Sequence, residues 1–230
     1  MTLNSLGIAV SYLLAVTISG CSDVLSGVAS NSAPIDVHCD PPSVVVRSPY
    51  RAEALMACAG ARDAESFLAG QGFAVGDEIS IDVVHALPAV AGSSAAGCYL
   101  AQDNRVFVLG YAEFATGGWF EMPMEPALYR SLVAHEVAHA VAAANFEITN
   151  PAIQAHEYIA YVTMFATMAP ALRERLLVRY PGEGYEDDGQ MSSTILLFDP
   201  MRFGVQAYRH YLESGSAYLH AVVAGRALVE

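Results

Sequence analysis

The chain has 230 residues, 54% of them hydrophobic and 15% charged, with eleven Arg, no Lys and a formal net charge of −13 at pH 7. Phosphate neutralisation needs clustered basic side chains, so this balance argues against nucleic acid as a partner. The length suffices for one globular domain with a real core, and the only long apolar stretch is at the start, so no internal membrane span is expected.

That stretch, Leu6 to Gly20, has the length of a signal peptide, and it ends in Ile18-Ser19-Gly20-Cys21, similar to a bacterial lipobox. Residues 1–20 are expected to be an export signal, 21–40 a linker and 41–230 a single domain, giving an exported protein of the cell envelope or a secreted one. A lipid anchor at Cys21 is then the expected membrane attachment. No Arg or Lys precedes Arg47, and ordinary cleavage near Ala29 or a misplaced start codon are the alternatives. Cys39, Cys58 and Cys98 lack C-x-x-C spacing and read as structural in an oxidising compartment. The expected disulfide is Cys58 with Cys98, and Cys39 with Cys58 is the alternative.

Further along, Ser43–Arg47 is β-branched, Arg51–Gly70 has helical composition, and Glu78–Val84 and Arg105–Tyr111 read as strands. Ala115-Thr116-Gly117-Gly118-Trp119-Phe120 combines a Gly pair with the sole Trp, which either lines a pocket or anchors a loop. Pro126 suits the first turn of a helix running to about Ala144. A short connection, Asn145–Thr149, favours an antiparallel second helix, with Asn150 as N-cap, Pro151 at the first position and an end near Met168, before Pro170. The acidic stretch Glu183–Asp188 reads as a solvated loop, with a calcium site as the alternative. Phe203–Tyr211 reads as part of a C-terminal helix.

The chemistry is written in His135-Glu136-Val137-Ala138-His139. Residues i and i+4 share a helix face with Cβ atoms roughly 5–6 Å apart, so both imidazoles can reach one zinc ion. Glu136 is turned about 100° round the helix, free to take a proton from a water. In a random chain of this composition the pattern arises with a probability of about 0.01. A catalytic zinc needs a third protein ligand. The metzincin positions hold Ala142 and Asn145 instead of Gly and His, and the next candidate is Glu157, eighteen residues after His139, with His156 as its rival.

On these residues the chain resembles the gluzincin branch of the zincin metallopeptidases, in which H-E-x-x-H on one helix is completed by a Glu on the next. The resemblance covers about thirty residues. It implies His135, His139 and Glu157 as ligands of Zn2+, Glu136 as general base, and an α+β, zincin-like fold: a small mixed β-sheet packed on an active-site helix, with a largely helical C-terminal half. In thermolysin-like members an Asp stands four residues after the third ligand, where this chain has Tyr161, and no aminopeptidase-type Gly-rich motif is present. In the zincins resembled, an edge strand receives extended peptide, and the matching stretch is Arg105–Phe114.

The expected function is zinc-dependent hydrolysis of a peptide or protein substrate. Tyr208 or His210 is the candidate donor to the developing oxyanion. The alternatives are an exported or lipid-anchored binding protein with a structural or decayed zinc site, where His156 or His210 would close the coordination, and an envelope interaction domain without metal.

Overall fold

The computed structural model describes residues 33–40, 43–91, 95–115 and 119–229. The apolar run Leu6–Gly20, Cys21 and Ala29 lie outside the described residues.

Among the described residues five strands form one sheet, β1 (Ile35–His38), β2 (Val44–Ser48), β3 (Ile79–Val84), β4 (Gly97–Leu100) and β5 (Arg105–Leu109), in the order β1-β2-β3-β5-β4. The three central strands are parallel, with Val46 opposite Ile81 and Ile81 opposite Val106, while β1 and β4 close the edges antiparallel. Parallel strands are covered by helices and therefore rich in β-branched residues, and Val44, Val46, Ile79, Ile81, Val106 and Val108 are all buried.

The parallel β2–β3 pair is joined through α1 (Arg51–Gly70), whose stripe of Ala54, Ala57, Ala61, Ala64 and Leu68 has the spacing of one helix face. That face meets β2 and the long α3 (Pro126–Asn145). The two helices touch backbone to side chain at Gly60, where a Cβ would lie 2.4 Å from the Arg130 carbonyl and 2.9 Å from Val133 Cβ. Any larger residue would push α3 away from α1. Beyond α3 lie α4 (Ile153–Thr167) and, packed on α4, α7 (Pro200–Ser214). The short α2 (Tyr111–Ala115), α5 (Pro170–Arg179), α6 (Ser193–Phe198) and α8 (Ser216–Val223) complete the fold. The result is α+β: a mixed sheet, then α1 and α3, then α4 and α7, with the C-terminal half largely helical.

Four expectations are corrected. The stretch Arg105–Phe114 is not an edge strand: β5 stops at Leu109 and lies between β3 and β4, so the edge beside α3 is β4. The strand ends there because the buried Glu53 accepts the backbone N–H of Tyr111 at 3.0 Å and fixes the start of α2. The disulfide joins Cys39 to Cys58, not Cys58 to Cys98; Cys98 is buried on β4. It ties the β1–β2 connection to α1 across 19 positions, a loop of the length for which cross-linking contributes roughly 3 kcal/mol. Asn150 is not a helix cap: it is left-handed at φ 56°, which Asn tolerates, and α4 begins at Ile153 after Ala152. The stretch 21–40, read as linker, contains β1.

Glu65 on α1 is 5% exposed; one oxygen accepts from Ser43 Oγ at 2.8 Å and the other, Oε1, has no partner. Burial pushes its carboxyl above the ordinary value, the Ser43 bond opposing. A carboxyl raised in the folded state contributes stability that is complete below its unfolded pKa and is lost as pH rises through the folded value. Glu65→Gln is therefore expected to raise Tm at pH 8 and to change it little at pH 4.5, as measured by calorimetry at the two pH values.

Candidate metal centre

α3 has no breaker from Pro126 to Asn145 and is buried on all sides through its middle turns. A helix apolar all round belongs inside, which makes its polar residues there informative. Ser131 satisfies itself by donating to the Ala127 carbonyl at 3.0 Å. His135, Glu136 and His139 find no such backbone partner, and with Glu157 they are 6% exposed or less.

α4 runs antiparallel to α3. Phe146 at the end of one meets His156 near the start of the other with ring centroids 4.5 Å apart, and His135 meets Tyr161 at 4.5 Å. Between these contacts Glu157 faces both imidazoles. The Nε2 atoms of His135 and His139 are 3.2 Å apart, Glu157 Oε2 is 3.4 Å from the first and Oε1 3.7 Å from the second. Burial, then His135 and His156, holds His139 well below the ordinary imidazole value, so it is neutral at pH 7 and its approach to Glu157 is no ion pair.

Two imidazole nitrogens and a carboxylate oxygen converging within 4.8 Å of one another fit a divalent cation. Four ligands at 2.0–2.1 Å around a tetrahedral zinc stand about 3.3 Å from each other, close to the 3.2 Å between the two imidazole nitrogens and the 3.4 Å from His135 to Glu157 Oε2, while His139 is approached by the other oxygen, Oε1. The Nδ1 atoms of both histidines are buried and lack a hydrogen-bond partner, so among the described residues no carboxylate or carbonyl orients the rings from behind.

Glu136 leaves the triad and turns toward β4. A Cβ on Gly97 would lie 2.6 Å from its Oε1 and 2.7 Å from Cδ, so the glycine leaves the place that the carboxyl occupies. Its Oε2 has no partner. Burial, and secondarily the Glu157 carboxylate, raises the Glu136 carboxyl well above its ordinary range.

The remaining candidates separate cleanly. His156 packs on Phe146 with its ring 6.3 Å from that of His139, outside the triad, and burial lowers it to about 4. Neither Tyr208 nor His210 is brought to the triad. Tyr208 stacks on Phe165 at 5.4 Å under the guanidinium of Arg173, and Phe165 lies eight residues, about 12 Å along the helix, beyond Glu157. His210 Nδ1 is 2.7 Å from the hydroxyl of Tyr158 and its ring is 4.4 Å from Tyr218. Asp188 of the acidic stretch is engaged by the Tyr218 hydroxyl and by the Leu228 N–H, 2.8 Å away, and Asp187 caps the following turn.

The residue missed as a participant is Tyr161. It follows Glu157 by four positions on the same face and abuts His135. Gly204 on α7 admits it, since a Cβ there would lie 2.4 Å from its Cδ1. Burial raises its hydroxyl well above 10, with Glu157 and Glu136 adding to the shift, so it remains a neutral donor. The i+4 spacing was the available signal; Gly97 and Gly204 had none.

Purified protein is expected to take up one zinc per chain, with His139→Ala and Glu157→Ala each lowering the affinity by orders of magnitude. Metal analysis after dialysis against a graded zinc buffer measures this, and equal zinc in wild type and His139→Ala rules the site out.

Over residues 44–230 the chain matches the family described as "Family of unknown function (DUF6639)". No curated protein and no solved structure matches it. With nearly the whole described domain inside that match, the chain belongs to this family of unknown function.

Proposed function

We propose that the chain is a zinc-dependent hydrolase, zincin-like in fold, that cleaves peptide bonds in exported or envelope-located substrates. The observation that carries this is the convergence of His135, His139 and Glu157, three candidate ligands rather than four among the described residues, with Glu136 next to His135 on the same helix. A structural zinc site is closed by four ligands, whereas a catalytic one keeps a position for solvent. The long helix lying against a mixed sheet, with an antiparallel edge strand beside Glu136, supports the gluzincin-like reading. The Cys39–Cys58 disulfide supports an oxidising compartment. Among the described residues no helix is long and apolar enough to cross a membrane, and attachment through Cys21 remains part of the proposal.

In this mechanism His135, His139 and Glu157 hold the cation. Zinc there would supply an acidified water, its pKa brought toward about 7, and polarisation of the scissile carbonyl. The rise in the Glu136 carboxyl would be offset by a cation held beside it, and the carboxylate accepts the proton of the attacking water and passes it to the departing amine. Its unpartnered Oε2 is the atom available for this. Tyr161 stands where Tyr208 and His210 were expected to act: its neutral hydroxyl, beside His135, donates to the oxygen on which negative charge develops. Apolar packing on every side of α3 excludes bulk water from these groups.

A second reading has one observation in its favour. The near-complete burial of the four polar side chains also suits a zinc that only braces the α3–α4 pair. Hydrolysis separates the two. Glu136→Gln is expected to keep full zinc content and to lose turnover on a peptide library by at least about 10²-fold; a Glu136→Gln protein as active as wild type would refute the assigned base, and a wild type that binds zinc but cleaves nothing would favour the bracing role.

The donor assignment makes its own prediction. Tyr161→Phe should lower kcat by about 10²-fold with KM little changed, the range seen when one oxyanion donor is removed. Tyr208→Phe should leave kcat as it is, and steady-state kinetics on the same peptide compares the two directly.

A further inference from the structure

Trp119 to Met122 form a tight turn closed by two hydrogen bonds, Trp119 N–H to the Met122 carbonyl at 2.9 Å and Met122 N–H to the Trp119 carbonyl at 3.0 Å. Both central residues are left-handed, Phe120 at φ 52° and Glu121 at φ 56°. Gly and Asn adopt that conformation readily; a bulky aromatic does so only under constraint. The constraint is visible in the packing of Phe120, which is 1% exposed and meets Phe165, Tyr180 and Tyr161 edge-on at 5.5, 5.9 and 6.4 Å.

Phe120 anchors the turn, and the Trp119 ring packs edge-on against it at 5.0 Å and against Phe114 at 6.2 Å. The Trp119 indole also borders the metal centre: the residue is 3% exposed, and its ring stands perpendicular to that of His135 with centroids 6.5 Å apart. Its Nε1–H has no acceptor. Buried unpaired N–H groups are rare, and left-handed bulky residues concentrate where a ligand is gripped. An indole N–H donates and never accepts. An uncharged carbonyl oxygen, such as that of a peptide backbone, is an acceptor suited to it. With the indole centroid 6.5 Å from that of the candidate ligand His135, a peptide chain held at the triad and advancing about 3.8 Å per residue brings a neighbouring carbonyl close to the indole.

We propose that Trp119 is a substrate-positioning residue whose indole N–H donates a hydrogen bond to a backbone carbonyl of the bound peptide, one unit from the scissile bond. This deepens the hydrolase proposed for the same site and rests on it. It assigns a neutral, extended peptide backbone as what the centre recognises there.

The test uses two probes on zinc-loaded protein: acetohydroxamate, which offers only its chelating group, and an N-acetyl-dipeptidyl hydroxamate, which adds backbone carbonyls. Trp119 is the sole tryptophan, so its emission reports binding directly and residue-specific replacement alters one position. Two variants are made, Trp119→Phe and a protein carrying β-(3-benzothienyl)alanine at 119, which keeps the shape and replaces N–H by sulfur. Both are expected to keep zinc content and acetohydroxamate affinity and to bind the peptidyl probe about ten-fold or more weakly, while the wild-type emission shifts on adding the peptidyl probe. Should Trp119→Phe fail to fold, the benzothienyl protein still decides. Wild-type affinity of that protein for the peptidyl probe overturns the role of Trp119 and leaves the hydrolase standing. A zinc-loaded wild type that binds neither hydroxamate overturns both.

Discussion

Everything in this domain is arranged around one constraint: α3 passes through the dry centre carrying three polar side chains that its own backbone cannot satisfy. Burying such groups without partners costs about 1–3 kcal/mol each, more for a charge. The helix tolerates them because its neighbours are fixed independently of them, the sheet and α1 on one side and α4 backed by α7 on the other. Gly60 sets how closely α1 may approach, and Gly97 and Gly204 leave the volumes that Glu136 and Tyr161 fill. The scaffold is thus built tightly around polar groups that contribute nothing to its stability unless something binds them.

The same constraint explains the division of labour on α4. Its residues at successive positions face different partners: His156 turns to Phe146, Glu157 to the two imidazoles, Tyr158 to His210. Tyr158 and His210, with the partly buried Tyr218, form a separate aromatic and hydrogen-bonded contact that holds the C-terminal helices. It explains why two residues that looked chemically apt from sequence serve packing, while Tyr161, noted from sequence only as a departure from the thermolysin-like pattern, abuts His135 one turn beyond Glu157.

How much could be read in advance depended on the range of the forces involved. Arg51–Gly70 and the α3 start at Pro126 follow from local composition and a proline at the first helical position, and the structure has them at those residues. The two-helix approach that brings Glu157 to His135 and His139 follows from a short connection, even though the cap at Asn150 was misplaced by two residues. β4 was invisible because Gly-Cys-Tyr-Leu carries no strand pattern of its own and exists as a strand only against β5. The end of β5 at Leu109 is set by Glu53, more than fifty residues earlier in the chain. Disulfide choice among three cysteines and the clearances at Gly97 and Gly204 are likewise facts of tertiary contact, for which sequence spacing holds no signal.

The candidate ligands all fall between residues 135 and 157. Closing a loop of that length is entropically cheap, since each doubling adds only about 0.6 kcal/mol, and helix pairs of this kind form quickly compared with the long-range parallel pairing of β2, β3 and β5. A cation gripped by this hairpin would thus be captured by the part of the chain that assembles soonest, making metal uptake an early event in folding rather than a late decoration of a finished protein.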